Sequence, residues 1–233
     1  MARLIAALIR HGDYHQVPDV PSAHQPFPLN SEGETQAQAG VQRLHDMIVR
    51  NEWALVPAID SSPLLRAWQT AGIFADGLAD LAASTPRIES YDELAERGVG
   101  SLANLTIAQI ETVLQQDPRF PDPPVDWKAN SNYRLPLQGA ESLLEAGIRV
   151  AAHLSQAMTA LPPDDHDRVK VFVGHGAAFR HAAYHLGVLA FEQLRELSMF
   201  HCQPVFIEYL AGGQWRHVEG DWKVRMVANG FTD

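Results

Sequence analysis

Apolar residues recur along the chain in two rhythms. One is the short continuous run: "RLIAALI" at 3–9, "ALVPAID" at 54–60, "RIESY" at 87–91, "RVKVFVG" at 168–174, "PVFIEYL" at 204–210 and "KVRMV" at 223–227. Runs of this length, bounded by turn residues, read as strands, although Pro57 weakens the second. The other rhythm is helical. A helix over about 31–50 has Asn30 or Ser31 as its cap, and Ser31 and Glu34 stand at capping-box spacing. "SSPLLRAWQTAGIFADGLADLA" at 61–82 reads as a cap, a proline in the first turn and a helix, with Leu65, Trp68 and Gly72 or Ala71 on one face. Further helices are expected over about 141–160 and 177–186.

Strands that alternate with helices argue for an α/β fold, with a mostly parallel central sheet covered on both faces. That is a three-layer α/β/α arrangement, read as a single domain over 1–233. Between about 117 and 137 the chain is rich in Pro, Asp and Asn, which reads as a surface excursion or lid rather than a linker. In parallel sheets ligands sit beyond the carboxyl ends of the strands. Two runs end there in a histidine and a glycine: Arg10–His11–Gly12 and His175–Gly176.

Composition narrows the picture. Hydrophobic residues make up 46% and charged residues 20% of 233, an ordinary globular balance. No run approaches the ~20 apolar residues of a membrane span, and Leu4–Ile9 is too short for a signal-peptide core, so it is read as structure. Net charge is −10, with no Lys/Arg run to offset it, which argues against nucleic acid as a partner. A single cysteine, Cys202, allows no internal disulfide and fits a cytoplasmic setting.

Two imidazoles and several guanidiniums suit one chemistry. Guanidinium matches phosphate oxygens in a bidentate way. A neutral imidazole nitrogen is a competent nucleophile toward phosphorus, and positioning plus charge stabilisation is most of what phosphoryl transfer requires. Metal binding is the competing use. His181 and His185 are four apart on an expected helix, but no acidic or cysteine support accompanies them, and no metal or cofactor is expected. His201 and Cys202, adjacent on an extended segment, should point to opposite faces.

"LIRHG" at 8–12, "PLNSEGETQAQAG" at 28–40, "SSPLLRAWQTA" at 61–71, "GAESLLEAGIRV" at 139–150 and "GHGAAFR" at 174–180 resemble the ordered motifs of the histidine phosphatase superfamily, which includes phosphoglycerate mutases. The resemblance implies a phosphoglycerate mutase-like fold. It implies that His11 is a nucleophile that becomes phosphohistidine, that Arg10 and Arg66 clamp the phosphoryl oxygens, and that His175 completes the pocket. "ELAERGVGSLANL" at 93–105 is similar to the family's proton-donor segment and places Glu96 in that role. Gly12 and Gly176 are then expected to let the backbone pass close to the anion. Arg180 either supports the site or meets a carboxylate elsewhere.

The chain departs from the family pattern near Val17, where many members carry an asparagine; His15 or Gln16 is the candidate substitute. The mutases have a longer, basic excursion before the "ESL" helix. Here it is the acidic "QQDPRFPDPPVDWKANSNYRLP", whose cations are Arg119, Lys128 and Arg134. The expected function is therefore hydrolysis of a small phosphate monoester. Mutase-type transfer, phosphoamidase action on phosphorylated proteins, and non-catalytic binding of phosphate or phosphoprotein are the alternatives.

Overall fold

The computed structural model describes residues 2–21, 24–82 and 84–225. The first strand, β1 (Leu4–Arg10), is central and buried on both faces, with Ile5, Ala7 and Ile9 on one side and Ala6 and Leu8 on the other. Burial on both faces is why its hydrophobic run is continuous rather than alternating. A long loop leads to α1 (Ser31–Asn51), then β2 (Ala54–Ser61), α2 (Leu65–Gly77) and β3 (Arg87–Ser90). The chain continues through α3 (Ile107–Gln116), α4 (Leu143–Thr159), β4 (Arg168–Gly174) and α5 (Gly176–His185). It ends, among the described residues, with β5 (Leu197–Ser198), β6 (Val205–Tyr209), β7 (Trp215–Glu219) and β8 (Lys223–Val224).

The six-stranded sheet has the order β3-β2-β4-β1-β6-β7, and β5 pairs separately with β8. The β3–β2, β2–β4 and β4–β1 pairs are parallel, while β6 and β7 extend the sheet antiparallel. Helices α1 and α2 cover one face over a core that includes Leu44, Ile59, Phe74 and Val171. Helices α4 and α5 cover the other, over Leu8, Leu154, Phe172 and Phe179. The mixed α/β fold with helices on both faces of a mostly parallel sheet is thus the one expected.

Local details differ from the sequence reading. Asn30 caps α1 by accepting from Gly33 N at 2.8 Å, and the Ser31–Glu34 box is not used. Working capping boxes stand instead on α3, between Thr106 and Gln109, and on α4, between Ser142 and Glu145. Pro63 lies ahead of α2 rather than in its first turn. The face of α2 turned inward is Arg66, Ala67, Thr70, Ala71, Phe74 and Ala75, whereas Leu65 and Trp68 are exposed. The register of β2 against β4 shifts between Leu55 and Ile59, around Pro57, which has no N–H for the ladder. Helix α3 and strand β7 were not expected. Of "KVRMV", only Lys223–Val224 is strand, and Met226–Val227 lie outside the described residues.

Residues 117–142 contain no helix and no strand. They are held by a third apolar cluster in which Trp127 and Leu135 pack on Ile110 and Leu114 of α3. The segment is also tied to α4, since Leu144 N donates to Ser131 O at 3.1 Å.

Candidate active site

The carboxyl ends of three neighbouring strands converge. His11 N continues the β1 ladder to Gly174 O at 2.9 Å, and Ser62 N does the same from β2 to Val173 O at 2.9 Å. His175 follows β4 directly and is the residue before α5. The imidazoles of His11 and His175 lie 5.0 Å apart, centroid to centroid. Residues 164 positions apart in sequence meet because β1 and β4 are in parallel register over their whole length.

Between the two rings lies the guanidinium of Arg66, carried in by the first turn of α2 and fully buried. Its Nε donates to His11 Nε2 at 3.1 Å, Nη1 to Gln25 O at 2.9 Å, and Nη2 contacts His175 Nδ1 at 3.3 Å. A guanidinium only donates, so both imidazole nitrogens that face it are acceptors. The remaining nitrogens follow. His11 Nδ1 contacts Gly12 O at 2.7 Å, and a carbonyl only accepts, so Nδ1 carries the hydrogen. His175 Nε2 then donates to Ser62 Oγ at 2.8 Å. Both rings are therefore neutral, each in a defined tautomer. Burial, reinforced by the nearby cations with Arg66 the foremost, holds both well below the ordinary imidazole pKa of 6.5.

In front of His11 opens a pocket of about 50 Å³. Its walls include Arg10, His11, Glu96, Gly176 and Ala177, with Asp13, Tyr14, Gln16 and His201 around them. Arg10 Nη1 donates to Met199 O at 3.0 Å, which ties its side chain to the chain before β6. The loop after β1 is pinned by Gln25, whose side chain bonds Val17 N, Val20 O and Pro21 O while its own carbonyl accepts from Arg66. Glu96 is nearly buried on the opposite wall, with Oε1 accepting from Arg97 N at 2.8 Å.

The structure thus brings all of the expected residues to one end of the sheet but not all to the pocket wall. His11, Arg10, Glu96 and Gly176 line it; Arg66 and His175 are fully buried against His11 and are not among the wall residues. The glycines also meet a packing need. A Cβ on Gly12 would lie 2.5 Å from Gly33 O, so this glycine admits the first turn of α1. A Cβ on Gly176 would lie 3.0 Å from Arg10 Cδ, so this glycine makes room for the arginine side chain. Gln16 lines the pocket and His15 does not, which favours Gln16 near the missing asparagine. Arg180 donates to Leu197 O at 2.7 Å. His181 bonds Ser131 Oγ, whereas His185 meets Leu144 O, so the two rings are committed to different partners.

Two ring-bearing wall residues, Tyr14 and His201, were missed. Tyr14 stands edge-on to His11 at 5.5 Å and under the Arg66 guanidinium at 4.5 Å. His201 lies 5.6 Å from the His11 ring and donates from Nδ1 to His11 O at 2.6 Å. Cys202, at a left-handed turn rather than on an extended segment, faces the core, and burial raises its thiol pKa to about 12. The weak signal for Tyr14 was its place in the loop after the motif; His201, 190 residues away in sequence, had none.

No curated protein sequence matches the chain. Solved structures do. A protein titled mycobacterial hydrolase 2 superimposes with a TM-score of 0.69 at 21% identity, over 98% of this chain and 94% of the other. Mycobacterial glucosyl-3-phosphoglycerate phosphatase gives 0.68 at 21% identity, over 93% and 96%. YhfR of Bacillus stearothermophilus gives 0.64 at 20% identity, over 91% and 94%. These likenesses establish the fold. A family model described as histidine phosphatase superfamily (branch 1) matches residues 6–222, from β1 to the turn after β7. With the strand-end histidines and their arginines in place across that span, the chain belongs to the histidine phosphatase superfamily.

Proposed function

We propose that the protein is a phosphatase that hydrolyses a small phosphate monoester through a phosphohistidine at His11. The observation that carries this reading is the state of the His11 ring. Its Nδ1–H is held by Gly12 O, leaving Nε2 with a lone pair beside a phosphate-sized pocket. In the resting site that lone pair is occupied by the Nε–H of Arg66. A phosphoryl group entering the pocket offers Arg66 and Arg10 better, anionic acceptors, and frees Nε2 for attack.

In the first step Nε2 bonds to phosphorus as the bond from phosphorus to the ester oxygen breaks. Protonated Glu96 gives its proton to the departing oxygen. In the second step water attacks phosphorus, its proton passes to Glu96, and the N–P bond breaks to release phosphate and restore the lone pair. His175, its Nδ1 facing Arg66 and its Nε2–H on Ser62, holds the guanidinium in place from behind. The group thus positions the clamp rather than touching the phosphoryl oxygens directly.

Hydrolysis is favoured over mutase chemistry by the composition of the wall. A glycerate substrate brings a carboxylate and a second phosphate, which need further cations. Of the excursion's cations, Arg119 is paired with Asp117 and Arg134 with Glu145, and among the described residues Arg10 is the one cationic side chain on the pocket wall. Asp13 on that wall works against a second anion. The test is phosphate release from an aryl phosphate and a panel of natural monoesters, with His11→Ala as control. Acid-labile phosphate on the quenched wild-type enzyme is expected, and its absence from an enzyme that still turns over would remove the covalent route.

A further inference from the structure

His201 lies outside the motifs that define the family resemblance, yet it occupies the pocket wall. Its backbone forms a bridge with Arg10, and Cys202 N donates to Arg10 O at 2.8 Å, so the residue is fixed against the end of β1. Its Nδ1–H is spent on His11 O. A neutral ring with a hydrogen on Nδ1 carries a bare lone pair on Nε2. That atom has no hydrogen-bond partner among the described residues, and it is not one of the buried, partnerless side-chain atoms. It therefore reaches open space, and the open space beside His201 is the pocket.

The ring stays neutral in use. Burial first, and the Arg10 guanidinium second, push its pKa down to about 4. A neutral acceptor beside the Asp13 carboxylate disfavours a second anion and matches a hydrogen-bond donor. The neutral donor most biological phosphate esters carry on their carbon skeleton is a hydroxyl.

We propose that His201 selects the leaving group, with Nε2 accepting a hydrogen bond from a hydroxyl on a polyol or sugar phosphate. This rests on the phosphatase reading for its meaning in turnover, but it is a statement about binding and can be tested apart from it. The probes are the phosphonate isostere of glycerol 3-phosphate, which carries two hydroxyls, and butyl phosphonate, which carries none. Their dissociation constants are measured by calorimetry on wild type and on His201→Asn. The asparagine amide reproduces the Nδ1–H donor to His11 O and lacks the Nε2 acceptor, so it separates selection from mere support of the strand end.

Wild type should bind the dihydroxy probe about five- to tenfold more tightly than the deoxy probe, the range for one well-made hydrogen bond in a buried site. In His201→Asn the ratio should fall to about one. A wild-type ratio near one, or an unchanged ratio in His201→Asn, overturns the proposal. Aryl phosphate turnover is measured on the same wild-type sample. If it is absent while the binding ratio behaves as expected, the phosphatase reading falls and the role of His201 stands. If turnover is present with an unchanged ratio, the reverse holds.

Discussion

Two buried polar clusters sit within a few residues of each other on β2 and β4, and they are built on opposite plans. In the first, Asp60 accepts from Lys170 Nζ at 2.5 Å and bonds His153 Nε2 at 2.9 Å, and the His153 ring lies 4.4 Å from that of Tyr91. The carboxylate and the ammonium neutralise each other inside the protein. In the second, two residues further along β2, Ser62 begins a chain through His175 and Arg66 to His11, with Arg10 alongside. There the partners of the guanidinium include two ring nitrogens and a carbonyl, and the imidazoles are held neutral. A cluster that closes its own charges supports the fold. A cluster that gathers cations around neutral rings is organised to receive an anion.

The contrast can be broken at either end. His11→Ala should abolish phosphate release from an aryl phosphate by at least about 1,000-fold, because no other wall group combines a lone pair with the clamp. Its urea unfolding midpoint should hold or rise, since a buried polar ring is removed from between cations. Asp60→Ala should do the opposite. It leaves Lys170 buried without its counter-charge, a change that costs about 3–5 kcal/mol. Urea denaturation should show that loss while the folded fraction keeps its turnover within about tenfold. Equal damage to activity in both variants would mean that the two clusters act as one.

Acid sharpens the same comparison. His11 and His175 have folded pKa values depressed below the ordinary 6.5, so above pH 6.5 both states of the chain hold them neutral and no penalty arises. As pH falls below 6.5 the unfolded chain takes up protons that the folded one refuses. Stability should then drop by about 1.4 kcal/mol per pH unit for each ring, until the folded pKa is reached. Unfolding free energies at pH 7.5 and 5.5 check this, and the drop should be smaller in His11→Ala. Activity should persist below pH 6.5 as far as His11 is concerned, because the depressed pKa keeps Nε2 unprotonated. An acid limb centred at 6.5 that vanishes on changing neither Glu96 nor His201 would place an ordinary, exposed imidazole in the mechanism.

What the sequence made legible follows the range of the interactions. The strand runs of β1 and β4 are continuous and apolar because both faces are buried, and each ends in its histidine, so the site's backbone could be read locally. Helix α3 was also open to reading, through the Thr106–Gln109 capping box and apolar residues at 107, 110 and 114, but it is short and no element was expected there. The depth of the site was not legible. That Arg66 is fully buried while bonding His11 depends on how α2 packs on the sheet. His201 reaches the pocket only because its segment bridges to Arg10 across the molecule. The glycines carry a second constraint: Gly12 and Gly176 also answer to Gly33 and Arg10, contacts that no local pattern records.

The smallest effect tests the least visible link, Ser62. Its Oγ accepts from His175 Nε2 at 2.8 Å, and its position at the end of β2 is fixed by its N–H on Val173 O. Ser62→Ala leaves the backbone bond and removes only the side-chain acceptor. The His175 Nε2–H then loses a buried partner, which costs about 1 kcal/mol. The cheapest relief is the other tautomer, but a hydrogen on Nδ1 would face the Nη2–H of Arg66, two donors with no acceptor between them. The ring cannot switch without pushing the guanidinium away, so the loss should be felt at the clamp. Phosphate binding should weaken by a few-fold, with KM for an aryl phosphate rising by the same factor and kcat falling less. If instead kcat falls while KM holds, His175 acts on the transition state itself and not through Arg66.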